Sequence, residues 1–422
     1  MMTETLEDVW RQESSHVLSA LLRRHGNLGD CEDAAQEALA AATVQWRRDG
    51  VPENPRGWLI RVAARRLIDR LRSEQARTAR EEAMGAAQPA DALVSPPADH
   101  PYHDQDDGLQ LLLLCCHPSL TRPSQVALTL RSVSGLTTAE IAAAFLVPER
   151  TMAQRLSRAR GTLAASGVRF RLPGEDALPE RVAALLDVLH LIFNEGYTRT
   201  AGELLLDTSL TGEAIRLTRQ LQQELPDHDE VAGALALMLL TQSRHAARSN
   251  QRGDLIPLAE QDRRLWDRSL IFEGVAILER VLPRGHVGRF QLQAAIAAVH
   301  AEAATWDDTD WLQITMLYDM LERIAPSPVV TLNRAVAVAM SLGPEHGLAV
   351  LDPLLENPMM QRHHRTHAVR AHLLEMLGQR AAAAQGYQRA AQLTTSLPEQ
   401  RYLHAQAVRV VTAKPATTDA PS

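Results

Sequence analysis

"FLVPERTMAQRLSRARGTL", residues 145–163, decides how the rest of the chain is read. Pro148 can begin a helix at its first turn, where a missing N–H costs nothing. Beyond it, Met152, Leu156, Ala159 and Leu163 recur with the spacing of one buried helical stripe. The opposite side carries Thr151, Gln154, Arg155 and Arg158, with Arg150 at the start and Arg160 near the end. Just upstream, Thr137 and Glu140 in "LTTAEIAAAF" make a capping box that satisfies free amides at a helix start. Two helices about a tight turn predict a helix-turn-helix. Its second helix offers bidentate and hydroxyl donors to base edges, with flanking arginines for phosphates. The plain alternative is an amphipathic helix with a solvated basic face.

Charge segregation favours the DNA reading. The chain is acidic overall, with a formal charge of −7 over 422 residues, yet residues 109–172 hold eight arginines against two acidic residues. Residues 56–80 show the same balance, eight arginines against two acidic residues. Between these segments, residues 81–108 contain seven acidic residues, no basic ones and four prolines, the composition of a linker. Basic segments in the front part point to a polyanion there and to a different partner for the acidic rear.

The length exceeds what one core serves, and 45% apolar residues with only 4% aromatics favour packed helices over sheets. An all-α fold is expected. Three cysteines, two adjacent in "CCHPSL", cannot form a disulfide framework. No signal pattern opens the chain, and the longest apolar runs are about half what a bilayer needs. A cytoplasmic setting without a membrane partner is expected.

In the front segment, "DCEDAAQEALAAATVQW" places Asp33, Gln36 and Glu37 together at helical spacing beside an alanine-rich packing side. No nucleophile, metal-ligand set or phosphate loop accompanies the carboxylates, so a protein-contact patch is expected, with a solvated face as the alternative. The next stretch, "NPRGWLIRVAARRLIDRLR", is expected to bury Ile60, Ala64, Leu67 and Leu71, with Arg61, Arg65 and Arg72 on an adjacent stripe. Arginines beside an indole suit an opened DNA strand, the cations tracking phosphates while Trp58 stacks on a base; Trp58 equally suits a core position.

From residue 178 onward one helical pattern follows another. Gly343 and Gly378 each follow a leucine between helical stretches and lie 35 residues apart, near the tetratricopeptide (TPR) period. Ala383, Tyr387 and Ala390 continue that repeat's spacing. The rear is therefore expected to be a TPR-like helical array.

Taken together, the two front units resemble region 2 and region 4 of bacterial sigma factors of the extracytoplasmic-function class. "DCEDAAQEAL" looks like region 2.2, and the resemblance implies contact of Asp33, Gln36 and Glu37 with the β′ clamp helices of core RNA polymerase. "NPRGWLIRVAARRLIDRLR" looks like the segment that melts and reads the minus-ten element, which makes Asn54, Arg56, Trp58, Arg61, Arg65 and Arg66 candidates for the opened strand. "GLTTAEIAAAFLVPERTMAQRLSRAR" is similar to region 4, whose recognition helix enters the minus-35 major groove and whose domain meets the β flap; Arg150, Thr151, Gln154, Arg155, Arg158 and Arg160 are the candidates there. "LHLIFNEGY", "QDRRLWDRSLI", "QLQAAIAAVHAEA" and "APSPVVTLNRAVAVA" look like the TPR-like extension of one sigma subgroup. The resemblance implies regulation through that extension. The further regions of primary sigma factors are not seen, which implies a narrow promoter repertoire.

The expected division is region 2 at 5–80, an acidic flexible linker at 81–108, region 4 at 109–172 and the helical regulatory domain at 178–412. The array is expected to bind a protein or peptide, or to pack on the DNA-binding units. Strand capture needs no covalent chemistry, so no catalytic residue, cofactor or metal is assigned. His363 and His367 stand one helical turn apart but lack a third ligand, and Cys115, Cys116 and His117 diverge around a helix. "FNEGYTRTAG", with Asn194, Glu195, Tyr197 and Arg199, reads either as a turn ordering the array's first helices or as a contact site. The alternative function is a one-component helix-turn-helix regulator with a helical sensor domain, which would have no need of the features at 30–72.

Overall fold

The computed structural model describes residues 2–82, 104–168, 170–174, 176–199, 201–202 and 205–412. Two compact units divide the chain, Met1–Leu189 and His190–Ser422. Most of the acidic stretch 81–108 lies outside the described residues; its two ends are helical.

The first unit begins with α1 (Met2–His25), α2 (Leu28–Asp49) and α3 (Pro55–Glu82). Asn27 caps α2, its side chain accepting from Gly29 N at 2.9 Å and Asp30 N at 3.3 Å, and Gly50 ends the helix at φ 84°. Cys31, Ala35, Ala38, Ala42 and Trp46 form its buried stripe, whose small side chains let α1 and α3 approach closely. Asn54 caps α3 by accepting from Gly57 N at 2.8 Å, and Pro55 takes the first helical position. The buried stripe of α3 runs through Leu59, Ala63 and Leu67; Ile60, Ala64 and Leu71, expected to be buried, are half-buried on its flank.

The unit continues with α4 (Asp104–Cys115), α5 (Arg122–Ser132), α6 (Thr138–Ala144) and α7 (Glu149–Ala165). Both bonds of the Thr137/Glu140 capping box are present at α6. The turn into α7 passes through Leu146 at φ 50°, and Pro148 stands as the cap just before the helix. Met152, Leu156, Ala159 and Leu163 are all buried, as their spacing predicts. Cys115 and Cys116 are buried at the end of α4, where burial pushes both thiols up. Helix α8 (Leu178–Tyr197) starts within this unit, where Arg122 reaches Asp187 at 2.9 Å.

In the second unit the core helix α10 (Asp229–Gln242) is buried continuously from Val231 to Leu240. It is enclosed by α9 (Thr208–Glu224), α11 (Arg268–Val281) and α12 (Arg289–Glu302). Helix pairs follow: α13 (Trp311–Ile324) with α14 (Pro328–Leu342), and α14 with α15 (Pro344–Leu351). After the short α16 (Pro358–Gln361), α17 (His364–Met376) pairs with α18 (Arg380–Leu393), and α18 with α19 (Leu397–Thr412). Gly343 at φ 106° and Gly378 at φ 73° occupy the turns of two such hairpins, in backbone that side chains rarely adopt. Ala383, Tyr387 and Ala390 all enter the core of the last pairs. A two-residue parallel ladder joins β1 (Ala201–Gly202) to β2 (Thr395–Ser396).

The pairs depend on small residues at the crossings. A Cβ at Gly347 would lie 2.5 Å from Ala339 Cβ and 2.8 Å from Ala335 O. Gly347→Ala is expected to lower stability by about 1–3 kcal/mol, measured by urea unfolding of the full chain. An unchanged midpoint would show that α14 and α15 do not pack this closely.

Candidate nucleic-acid and polymerase interface

The free cations and the paired cations of the first unit fall into distinct sets. On α7, Arg150, Thr151, Gln154 and Arg158 are exposed and Arg155 is half-exposed, all away from the buried stripe. On α3, Arg61, Arg65 and Arg66 are exposed. None of these six arginines forms an ion pair with a described residue. Arg56, by contrast, is held by Glu13 at 2.5 Å, and Asn54 spends its side-chain oxygen on the α3 cap. Trp58 is half-buried, edge-on to Trp46 at 5.3 Å between centroids. One part of its ring packs while another remains accessible.

Arg160 differs from the rest of its helix. It turns inward, its guanidinium 3.2 Å from Glu32 and 3.8 Å from Asp33 on α2. Glu32 is buried and also accepts a hydrogen bond from Ser132 at the end of α5. Burial raises its pKa above the ordinary carboxylate value, even though Ser132, Arg160 and Arg131 favour the charged form. Sequence reading singled out neither Glu32 nor Ser132. Glu32 is signalled only as one of four acidic residues, Asp30, Glu32, Asp33 and Glu37, near the start of α2, and nothing local marks Ser132.

The patch expected to meet a protein partner is divided. Asp33 and Glu37 are exposed and share Arg70, which bonds Asp33 at 3.0 Å and also Glu37. Exposed pairs of this kind contribute only about 0–1 kcal/mol and exchange readily for other partners. Gln36 lines a cavity of about 240 Å³ together with Trp10, Arg131 and Glu140.

The remaining sequence candidates have ordinary roles. His367 bonds Gln361 O at 2.8 Å through Nε2, and His117 bonds Ser119 at 2.8 Å. Among the described residues no cluster of three or more His, Cys, Asp or Glu could hold a metal ion. Asn194, Glu195, Tyr197 and Arg199 line a cavity in the second unit. Among the described residues no helix is long and apolar enough to cross a membrane.

Residues 9–77 match the family model for Sigma-70 region 2, and residues 110–163 match that for Sigma-70, region 4. The chain belongs to the sigma-70 family. It is a sigma factor of the extracytoplasmic-function (ECF) type, and such a pair of regions implies binding to core RNA polymerase and to promoter DNA. A probable ECF RNA polymerase sigma factor SigI of Mycobacterium tuberculosis (strain CDC 1551 / Oshkosh) is 32% identical over 156 residues, 36% of this chain and 51% of that protein. An ECF RNA polymerase sigma factor SigK of Mycolicibacterium vanbaalenii is 39% identical over 87 residues, 20% of this chain and 41% of that protein. An uncharacterized protein of Rhizobium meliloti (strain 1021) is 41% identical over 403 residues, 95% of this chain and 94% of that protein. Residues 181–282, behind region 4, match a family of unknown function (DUF6596).

The buried carboxylate makes a pH prediction. A raised folded pKa means that ionising Glu32 costs the folded state more than the unfolded one. Its contribution therefore turns against folding as pH rises from the ordinary 4.5 toward the folded value. Comparing urea stability of the wild type with Glu32→Gln should show the wild type losing ground over that rise. A difference independent of pH would mean that Glu32 is not held in this buried setting.

Proposed function

We propose that this sigma factor docks α2 on the β′ clamp helices of core polymerase through Asp33, Gln36 and Glu37, and region 4 on the β flap. Trp58, Arg61, Arg65 and Arg66 take up the opened minus-ten strand, joined by Arg56 when it leaves Glu13 and by Asn54 through the part of its side chain that the α3 cap does not use. Arg150, Thr151, Gln154, Arg155 and Arg158 read the minus-35 groove. Arg160 joins them on a phosphate only when it leaves Glu32 and Asp33. The helical domain at 178–412, behind the linker at 81–108 and region 4 at 109–172, regulates the activity of the front regions in the cytoplasm.

The observation that carries this reading is the set of exposed arginines on α3 and α7 that have no ion-pair partner among the described residues. Such cations have counterions to release, and phosphates supply the matching charge. The pairing of Arg160 and Arg70 with the α2 carboxylates supports a resting arrangement in which the polymerase-facing patch is engaged internally.

Run-off transcription with core polymerase on a promoter library tests the whole reading. The full chain is expected to initiate at a defined subset; failure of both the full chain and residues 1–172 to do so would sink it. Equal output from those two proteins under every condition would remove the regulatory role of the rear domain.

The division of labour is separately measurable. Arg155→Ala is expected to lower occupancy of promoters by about tenfold through loss of the upstream element. Trp58→Ala should leave closed-complex binding intact and slow strand opening by about tenfold. Footprinting for the first and permanganate reactivity for the second separate the steps, and equal losses in both assays for both variants would contradict the assignment.

A further inference from the structure

A cavity of about 810 Å³ lies within the second unit, a volume suited to a small molecule. Its wall is formed by the last turns of α8, the end of α10 with the loop that follows, the start of α17 and the segment before α19. Four arginines line it, Arg199, Arg244, Arg248 and Arg365, against two carboxylates, Glu195 and Glu399.

Neither carboxylate is ion-paired with Arg244 or Arg248 among the described residues, although Glu399 lies near enough to favour the charge of Arg248. Glu399 is held by Thr394 at 2.8 Å, His364 at 3.1 Å and Arg365 at 3.7 Å. Burial opposes its charge, but those partners outweigh burial and hold its pKa down at about 2. Arg199 lies 3.7 Å from Asp207. Arg248 is buried, yet its partners are neutral: Tyr197 O, Thr198 Oγ1 at 2.9 Å, and the Tyr197 ring face at 3.6 Å from the guanidinium carbon to the ring centroid. Arg244, four residues earlier, is half-buried. Neither Arg244 nor Arg248 forms an ion pair with a described residue. A guanidinium taken out of water without a counter-charge is costly, and an anion bound beside it recovers that cost.

Two further features describe the rest of the ligand. Leu255, Ile256, Pro257 and Leu258 supply a continuous apolar wall. On the same lining, Gln261 Oε1 is a buried acceptor without a hydrogen-bond partner among the described residues, although its amide nitrogen donates to Ile256 O at 3.1 Å. An acceptor left open beside cationic donors fits a ligand that brings a hydroxyl or N–H of its own.

We propose that this cavity binds a small organic anion, whose carboxylate or phosphate is held by Arg244 and Arg248 and whose apolar body lies along residues 255–258. Its occupancy is independent of the regulatory reading. Only its service as the input of that regulation rests on the reading above, and binding is measured without transcription.

The test is calorimetric titration of the full chain with 1-naphthyl phosphate, 1-naphthoate, the uncharged 1-naphthalenemethanol and inorganic phosphate. Saturable binding of one or both naphthyl anions is expected, and the stronger of the two identifies phosphate or carboxylate as the preferred head. Arg244→Gln should weaken that binding by at least about tenfold. Arg264→Gln, at an exposed arginine that is paired with Asp262 and is not part of the cavity lining, should leave it unchanged. Arg248→Gln is expected to weaken binding as well, with circular dichroism confirming that the variant folds. The proposal is overturned if neither naphthyl anion saturates by millimolar concentration. It is equally overturned if Arg244→Gln binds like the wild type, if the uncharged alcohol binds as tightly as the anions, or if inorganic phosphate matches naphthyl phosphate.

Discussion

A charge removed from water must find its partners inside the protein, and much of this structure is arranged around that requirement. Glu32 is the case that organises the front unit. It is buried on α2, and the groups that answer it come from α5 and α7, so region 4 helices are placed against region 2 by a hydrogen bond and an ion pair. The second unit meets the same requirement with arginines. Arg263 is buried and donates to His300 O and Ala303 O, both at 2.6 Å, closing the end of α12 with a guanidinium where free carbonyls gather.

Helix packing then follows from small side chains at the crossings. The alanines of α2 and glycines such as Gly347 bring backbones close, and leucines fill the space on either side. Few aromatics are needed for such a core. Those present are used at particular points: Trp46 and Trp58 meet at the start of α3, while His300 in the last turn of α12 clusters with Trp306 and Trp311.

For a protein that acts by binding, the useful distinction is between charges already satisfied and charges still available. The recognition helix shows both on adjacent turns. Arg155 and Arg158 make no ion pair among the described residues, whereas Arg160 is engaged by α2. The same contrast separates Arg61, Arg65 and Arg66 from Arg56 on α3. A one-component regulator would have no need of the region 2 that this chain carries.

The sequence by itself determined what depends on neighbours a few residues away. Helical period set the buried stripe of α7, capping chemistry set the start of α6, and the Gly343 and Gly378 turns were legible because a left-handed backbone favours glycine. On α3 the period alone left two adjacent apolar stripes, and packing against α1 and α2 selected Leu59, Ala63 and Leu67 over Ile60, Ala64 and Leu71. Only the tertiary structure decided the fate of the charges. Glu32 and Ser132 stand 100 residues apart, and Arg248 meets the Tyr197 carbonyl across 51 residues, so no local pattern marks either pair. Whether a charged side chain is buried, paired or left for a ligand depends on which distant elements close over it, and that is a property of the assembled fold.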